Sequence, residues 1–349
     1  MKYTLLLIIL LTSGICSYGQ TYEKKKDSTD YARHPDNFRV DSIEGFLNDS
    51  TAVNLTEYWK QIEATRLRKL LGDVPELPPV DYSKVEIIQV GTNNVGAKIK
   101  LTVVCDGYRD KTLAISSTAN FFNTFLNTAP MSKYKSNYNC YAVWTASPNN
   151  GAKHPNTAPD CIYANPLVPV SDSVNLFNST FDYGGTHRLL YSSDYTNINN
   201  LFNYAGAQRG LKFVNVGTAY YGGGGGSFAF FAGQNASAYQ IAIHEYGHTF
   251  GLLADEYVSG SYGERPNMTK ETTLATIKWA SMIPANQLLP TPSNTNCGTV
   301  GLYLLGQSNG VNWYIPSCWC MMKNLGSPFC DVCSKVIEDS IKAKIGTVP

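Results

Sequence analysis

Residues 241–257 leave a folding chain little freedom. They contain His244-Glu245-x-x-His248, set among Ile241, Ala242, Ile243, Tyr246, Phe250, Leu252 and Leu253. On a helix, side chains four apart lie one above the other, so His244 and His248 would aim two imidazoles at one point. Glu245 sits where it would reach a water on a shared ion rather than the ion itself. A helix that is apolar on nearly every side is a buried one. Burying two histidines and a glutamate without partners is unfavourable, and a metal ion removes that penalty. Zinc is the expected ion, and two imidazoles leave it short of a protein ligand. Asp255 and Glu256 follow shortly after, and Gly251 is expected to end the helix and let the chain turn back.

Composition narrows the alternatives. The 349 residues carry a net charge of +1 with only 16% charged, so no basic field exists to hold nucleic acid. Met1 and Lys2 precede a short apolar run over 3–11, and a small residue, Gly19, stands at the expected cleavage point. Residues 1–19 therefore read as a signal peptide, placing the protein outside the cytoplasm: secreted, periplasmic or at the cell surface. Ile15 before Cys16 disfavours lipid anchoring, and no other segment is apolar enough to span a bilayer. Beyond Cys16, the remaining cysteines are Cys105, Cys140, Cys161, Cys297, Cys318, Cys320, Cys330 and Cys333. An even number in an exported chain favours disulfides. The last four, Cys-x-Cys then Cys-x-x-Cys, have a structural zinc site as their alternative.

Three segments follow from the patterning. After the signal, residues 20–80 are expected to form a polar arm and an amphipathic helix over 56–71, too small for an independent domain, with a pro-segment as one reading. A catalytic domain is expected over 81–349. Within it, strands are expected at 85–90 and 97–104, joined by an Asn93-Asn94 turn, then at 139–145, 211–216 and 227–231. Helices are expected at 114–127, within 188–208, near 277–279 and at 334–344. Residues 147–169 form a long irregular loop. The five glycines at 222–226 lack the residues of a phosphate loop. Gly222 and Gly223, with Tyr221 before them, instead suit a peptide cleft beside an edge strand, a plain glycine hairpin being the alternative. Asn235 or Ser237 is suited to cap the His244 helix. Gly247 within that helix is worth about 1 kcal/mol less than alanine, which points to a close neighbour there. His154 and His187 lack partners at ligand spacing and read as surface or structural residues. Asp106 reads as a turn residue, with calcium binding or orientation of a neighbour as lesser alternatives.

Taken in order, several of these segments resemble the bacterial immunoglobulin-A metallopeptidase family. They are Asp106-Gly107-Tyr108, the 141–155 stretch with His154-Pro155, Tyr221-Gly222-Gly223, His244 through Tyr257, Ile277-Lys278-Trp279, and Cys320-Met321-Met322 with Cys330 and Cys333. The resemblance implies an exported zinc endopeptidase of α/β (α+β) class: a metzincin-like peptidase domain with a mixed twisted sheet, a zinc-binding helix and a Met-turn at Met322. It assigns His244, His248 and Asp255 as Zn2+ ligands and Glu245 as general base on zinc-activated water. Ala254 stands where metzincins carry a third histidine, so Glu256 stays open as the rival to Asp255. Protein or peptide substrates are implied, host glycoprotein or immunoglobulin among them. The resemblance also adds a truncated accessory module to the pro-segment reading of residues 20–80. Tyr221 and Tyr257 are the candidate transition-state donors. The rival reading is a non-catalytic, exported glycoprotein-binding module on the same scaffold, and the presence of Glu245 beside both histidines argues against it.

Overall fold

The structure is a computed structural model describing residues 80–163, 168–207, 210–258, 262–292 and 297–346. The signal peptide, the arm and the 56–71 helix lie outside the described residues.

Alternation within three central strands builds the molecule. In β2 (Ile99–Asp106), β4 (Leu211–Val216) and β6 (Ala229–Ala232), Leu101, Val103, Phe213 and Phe231 face one core. Val104, Val214, Val216 and Phe230 face a second core on the other side. Both faces being buried, these strands read as nearly continuous apolar runs, the signature of parallel pairing. They are indeed parallel neighbours. The full sheet has six strands in the order β1-β3-β2-β4-β6-β5, with antiparallel edges formed by β1 (Glu86–Val90) and β5 (Gly223–Gly224). It is a mixed sheet, as expected. β1 and β2 do not form a hairpin, however. β3 (Tyr138–Trp144) lies between them, antiparallel to β1 and parallel to β2. The half-polar look of 97–104 suggested a two-stranded unit, but Thr102 is itself buried in the sheet.

Helix α1 (Lys111–Asn127), capped by the Asp110 carboxylate on Leu113 N, lays Phe121 and Phe125 on the first face of the sheet. α2 (Tyr195–Tyr204) covers the second face with Ile198, Leu201 and Phe202. α3 (Ala238–Gly251) packs against β5, β6 and α1, and α4 (Asp331–Ile345) against α3. A separate hairpin, β7 (Tyr303–Ser308) with β8 (Val311–Ile315), stands apart from the sheet. Residues 277–279 form turns ahead of a short 3-10 segment at Ala280–Met282 rather than an α-helix. No helix among the described residues is long and apolar enough to cross a membrane.

Only one disulfide is present among the described residues, Cys297–Cys318. Cys105, Cys140, Cys161, Cys320, Cys330 and Cys333 are buried thiols, so the expected disulfide framework does not form. Parity alone misled, because Cys105 and Cys140 are ordinary apolar filling on β2 and β3.

Candidate metal centre

α3 runs from Ser237 at its N-cap position to Gly251, and the backbone reverses at Leu252, which takes the left-handed conformation at φ 53°. The reversal therefore falls one residue after the expected glycine. Gly251 remains helical, where a Cβ would lie 3.0 Å from Leu253 Cγ. Neither expected residue caps the helix through its side chain: Ser237 makes no cap bond, and Asn235 Oδ1 accepts from Ser237 N at 2.9 Å, ahead of the first turn.

The reversal brings Asp255 back to the two histidines. His244 Nε2 and His248 Nε2 are 3.1 Å apart, and Asp255 Oδ1 lies 3.1 Å and 3.2 Å from them. Each imidazole spends its other nitrogen on a backbone carbonyl: His244 Nδ1 on Met321 O at 3.0 Å and His248 Nδ1 on Leu253 O at 2.8 Å. Carbonyls only accept, so both Nδ1 atoms carry hydrogen and the Nε2 lone pairs converge on one another. Asp255 Oδ1 is buried with no donor aligned to it, although both imidazoles are within ion-pair reach. Ligands about 2.0–2.1 Å from a tetrahedral zinc are separated by about 3.3 Å, so this triangle fits one face of such a coordination shell. Without an ion, burial opposes a charged His248 but the Asp255 carboxylate outweighs it and raises the imidazole to about 9. Burial likewise resists ionisation of Asp255, yet the imidazoles hold it well below the usual carboxylate range.

Glu245 is buried, and its Oε2 has no hydrogen-bond partner among the described residues. Burial pushes its pKa up, with the nearby imidazoles opposing. The carboxylate lines a cavity of about 360 Å³ together with His244, Tyr221, Gly223, Arg188 and Tyr257. A side chain at position 225 would meet Glu245 Oε2 at 2.5 Å, so the glycine there lets the backbone pack closely against this carboxylate. The run is both a hairpin and a sheet edge, since Gly223 and Gly224 pair with Phe231 and Phe230. Its outer side is already taken at Gly223, whose N–H donates to Arg188 O and whose carbonyl accepts from Leu190 N. An incoming peptide therefore cannot extend the ladder at that residue, although Gly223 lines the cavity.

A family model described as IgA peptidase M64 matches residues 85–297, more than half of the chain. The chain belongs to the IgA peptidase M64 family. No curated protein matches it. Membership makes the protein a peptidase by family, and the family is one of metallopeptidases.

In this M64 chain the Asp255-Glu256 pair divides. Asp255 joins the histidines, whereas Glu256 turns to the opposite side, accepting from Asn267 Nδ2 at 2.9 Å and Cys333 Sγ at 3.3 Å. Burial keeps its carboxyl well above the ordinary range. Glu256, Cys320, Cys330 and Cys333 offer four atoms within 4.8 Å of one another, all buried. Of the four cysteines in that stretch, Cys318 is taken by the Cys297 disulfide, and the other three meet Glu256 instead.

Three features of the M64 chain escaped the sequence. Arg188 enters the cavity wall, its guanidinium bonded to the Tyr257 hydroxyl beside Asp255. A lone arginine far from the motif gave no signal. His154 and His187, expected to lack ligand partners, are buried with Cys161 and Asp182 in a third cluster. Their partners are distant in sequence, so spacing could not find them. Asp106, expected as a turn residue, lies at the end of β2 ahead of Gly107, which has a positive φ. It is fully buried and accepts from Gly107 N, Leu176 N and Ser179 Oγ at 2.9, 2.8 and 2.6 Å.

Proposed function

We propose that this protein is an exported zinc endopeptidase in which His244, His248 and Asp255 hold the ion and Glu245 is the general base. The observation that carries the reading is the triangle of converging lone pairs, closed by a buried Asp255 oxygen with no aligned donor. Three protein ligands leave a coordination position open, the arrangement of catalytic rather than structural zinc. A zinc ion there supplies Lewis acidity, polarising a carbonyl and bringing the pKa of water to about 7.

Glu245 lines the cavity beside His244, and its carboxylate would take a proton from the attacking water and return it to the leaving amine. Burial favours the protonated carboxyl needed for that second transfer. Tyr257 directs its hydroxyl toward Asp255 and accepts from Arg188, which makes the guanidinium the better donor to a developing oxyanion. Tyr221 lies at the exposed side of the cavity, where it would contact substrate. Beneath the ion site, the chain turns at Cys320 with Lys323 N and Asn324 N bonded to Cys320 O. Met322 is packed under Gly247, which supports the Met-turn of a metzincin-like fold. Export rests on the 1–19 signal and agrees with the Cys297–Cys318 disulfide. Substrates are proteins, with immunoglobulin the first to try.

Digestion of casein and immunoglobulin A by the purified protein, with Glu245→Gln alongside, tests the proposal. The variant should keep its zinc and lose activity by about 10²–10⁴-fold or more. Equal cleavage by both proteins would remove Glu245 from the mechanism.

A further inference from the structure

The described residues between Gly151 and Ser192 contain only 3-10 turns and isolated bridges, and beside the apolar side chains they bury lies a polar cluster. His154, Cys161, Asp182 and His187 are all buried there. We propose that these four side chains form a second, closed zinc site of structural kind, apart from the catalytic centre and independent of whether that centre hydrolyses peptides.

Spacing is the first argument. Cys161 Sγ lies 3.7 Å from His154 Nε2, 3.4 Å from His187 Nδ1 and 3.2 Å from Asp182 Oδ1. Asp182 Oδ1 lies 3.4 Å from His154 Nε2 and 3.1 Å from His187 Nδ1. A tetrahedral zinc about 2.3 Å from sulfur and about 2.0–2.1 Å from nitrogen and oxygen sets its ligands about 3.3–3.6 Å apart. The cluster matches that shell on every one of these edges to within a few tenths of an ångström.

Hydrogen-bond accounting gives the second argument. His154 Nδ1 is 2.9 Å from Pro169 O, which can only accept, so the proton sits on Nδ1 and Nε2 points a lone pair inward. Sulfur and both imidazoles crowd the same oxygen, Asp182 Oδ1, although the other oxygen accepts separately from Thr157 N at 2.8 Å. A carboxylate oxygen has two lone pairs for hydrogen bonds. Three heteroatoms around one oxygen, each also close to another member of the group, are arranged like ligands around a cation. The outer bonds hold them so: Pro169 O orients His154, Thr157 N orients Asp182, and Asp160 Oδ1 accepts from His187 N at 2.8 Å. Four protein ligands leave no open position, which makes the site structural. Binding would take Cys161 as thiolate and release its proton to solvent.

The placement gives such an ion a purpose. His187 directly precedes Arg188 and Leu189, which form the cavity wall facing Glu245. Arg188 O and Leu190 N also hold Gly223 in place. A cross-link at His187 would fix that wall in a segment with little regular structure of its own.

The test is zinc content per chain after exhaustive dialysis, measured by plasma mass spectrometry on the full chain. Cys161→Ser and Asp182→Asn should each carry about one zinc fewer than their parent. The same drop is expected when the parent already carries His244→Ala and His248→Ala, which separates this ion from the catalytic one. Unchanged zinc in a variant with native circular dichroism overturns the proposal. Should the variants fail to fold, crystals of the unsubstituted chain grown with zinc decide it. An anomalous peak at the zinc edge between the four side chains is expected, and no peak there overturns the site.

Discussion

Gly247 and Met322 lie in direct apposition: a Cβ on Gly247 would sit 2.6 Å from Met322 Sδ and 3.3 Å from Phe329 Cε1. The absent side chain lets the Cys320–Met322 turn press against α3. Met321 O is thereby within 3.0 Å of His244 Nδ1 and Met322 O within 2.8 Å of Glu256 N. One glycine thus connects the orientation of a metal-facing imidazole to the path of the chain through Asp255.

Gly247→Ala sets two effects against each other. Helix propensity favours alanine by about 1 kcal/mol. Overpacking a fully buried Met322 and Phe329 opposes it by about 1–3 kcal/mol, so a net loss is expected. Thermal unfolding should show a lowered Tm, and zinc competition a weakened site because His244 loses its alignment. A raised Tm with unchanged affinity would mean that the methionine yields freely.

The division between the paired acids predicts unequal variants. Asp255→Ala should empty the catalytic site of zinc, since it removes one corner of the ligand triangle. Glu256→Gln should leave that site filled and peptidase activity measurable, because Glu256 faces Asn267 and Cys333 instead. Zinc analysis and proteolysis on both variants check this, and the reverse pattern would exchange their roles.

Proton competition gives a pH signature. In the metal-free chain the His248 pKa is raised from 6.5 to about 9 despite burial, through the Asp255 carboxylate. The protonated pair stabilises that metal-free fold fully below pH 6.5, and its contribution disappears as pH rises through about 9. Zinc must displace the same proton, so apparent affinity should climb by about tenfold per pH unit in that window and level off above it. Calorimetric titration in buffers of differing ionisation heat would measure the released proton. A flat affinity across the window would contradict the pairing.

Asp106 predicts a stability effect away from the metal. Its oxygens tie the end of β2 to Leu176 and Ser179 in the second-face segment. Asp106→Ala leaves several buried donors without an acceptor, and a loss of about 3 kcal/mol or more is expected. Urea unfolding checks the magnitude, and a change under 1 kcal/mol would mean that solvent replaces the carboxylate.

Local order was legible because it is written in neighbouring residues. The apolar surround of His244 and His248 specified a buried helix, and their spacing gave two converging imidazoles before any coordinates. Short apolar runs marked the strands expected at 211–216 and 227–231 for the same reason, the second of which runs over Ala229–Ala232. Pairing and convergence could not be read this way. β3 lies between β1 and β2, which leaves the largely exposed β1 at the edge and β2, buried on both faces, in the interior of the sheet. Asp255 rather than Glu256 reaches the imidazoles because the backbone reverses at Leu252 and Met322 O fixes Glu256 N. His154, Cys161, Asp182 and His187 meet only when a long irregular segment closes on itself. Sequence spacing sets what lies on one face of one element. The burial of charge against residues far along the chain is decided by tertiary packing alone.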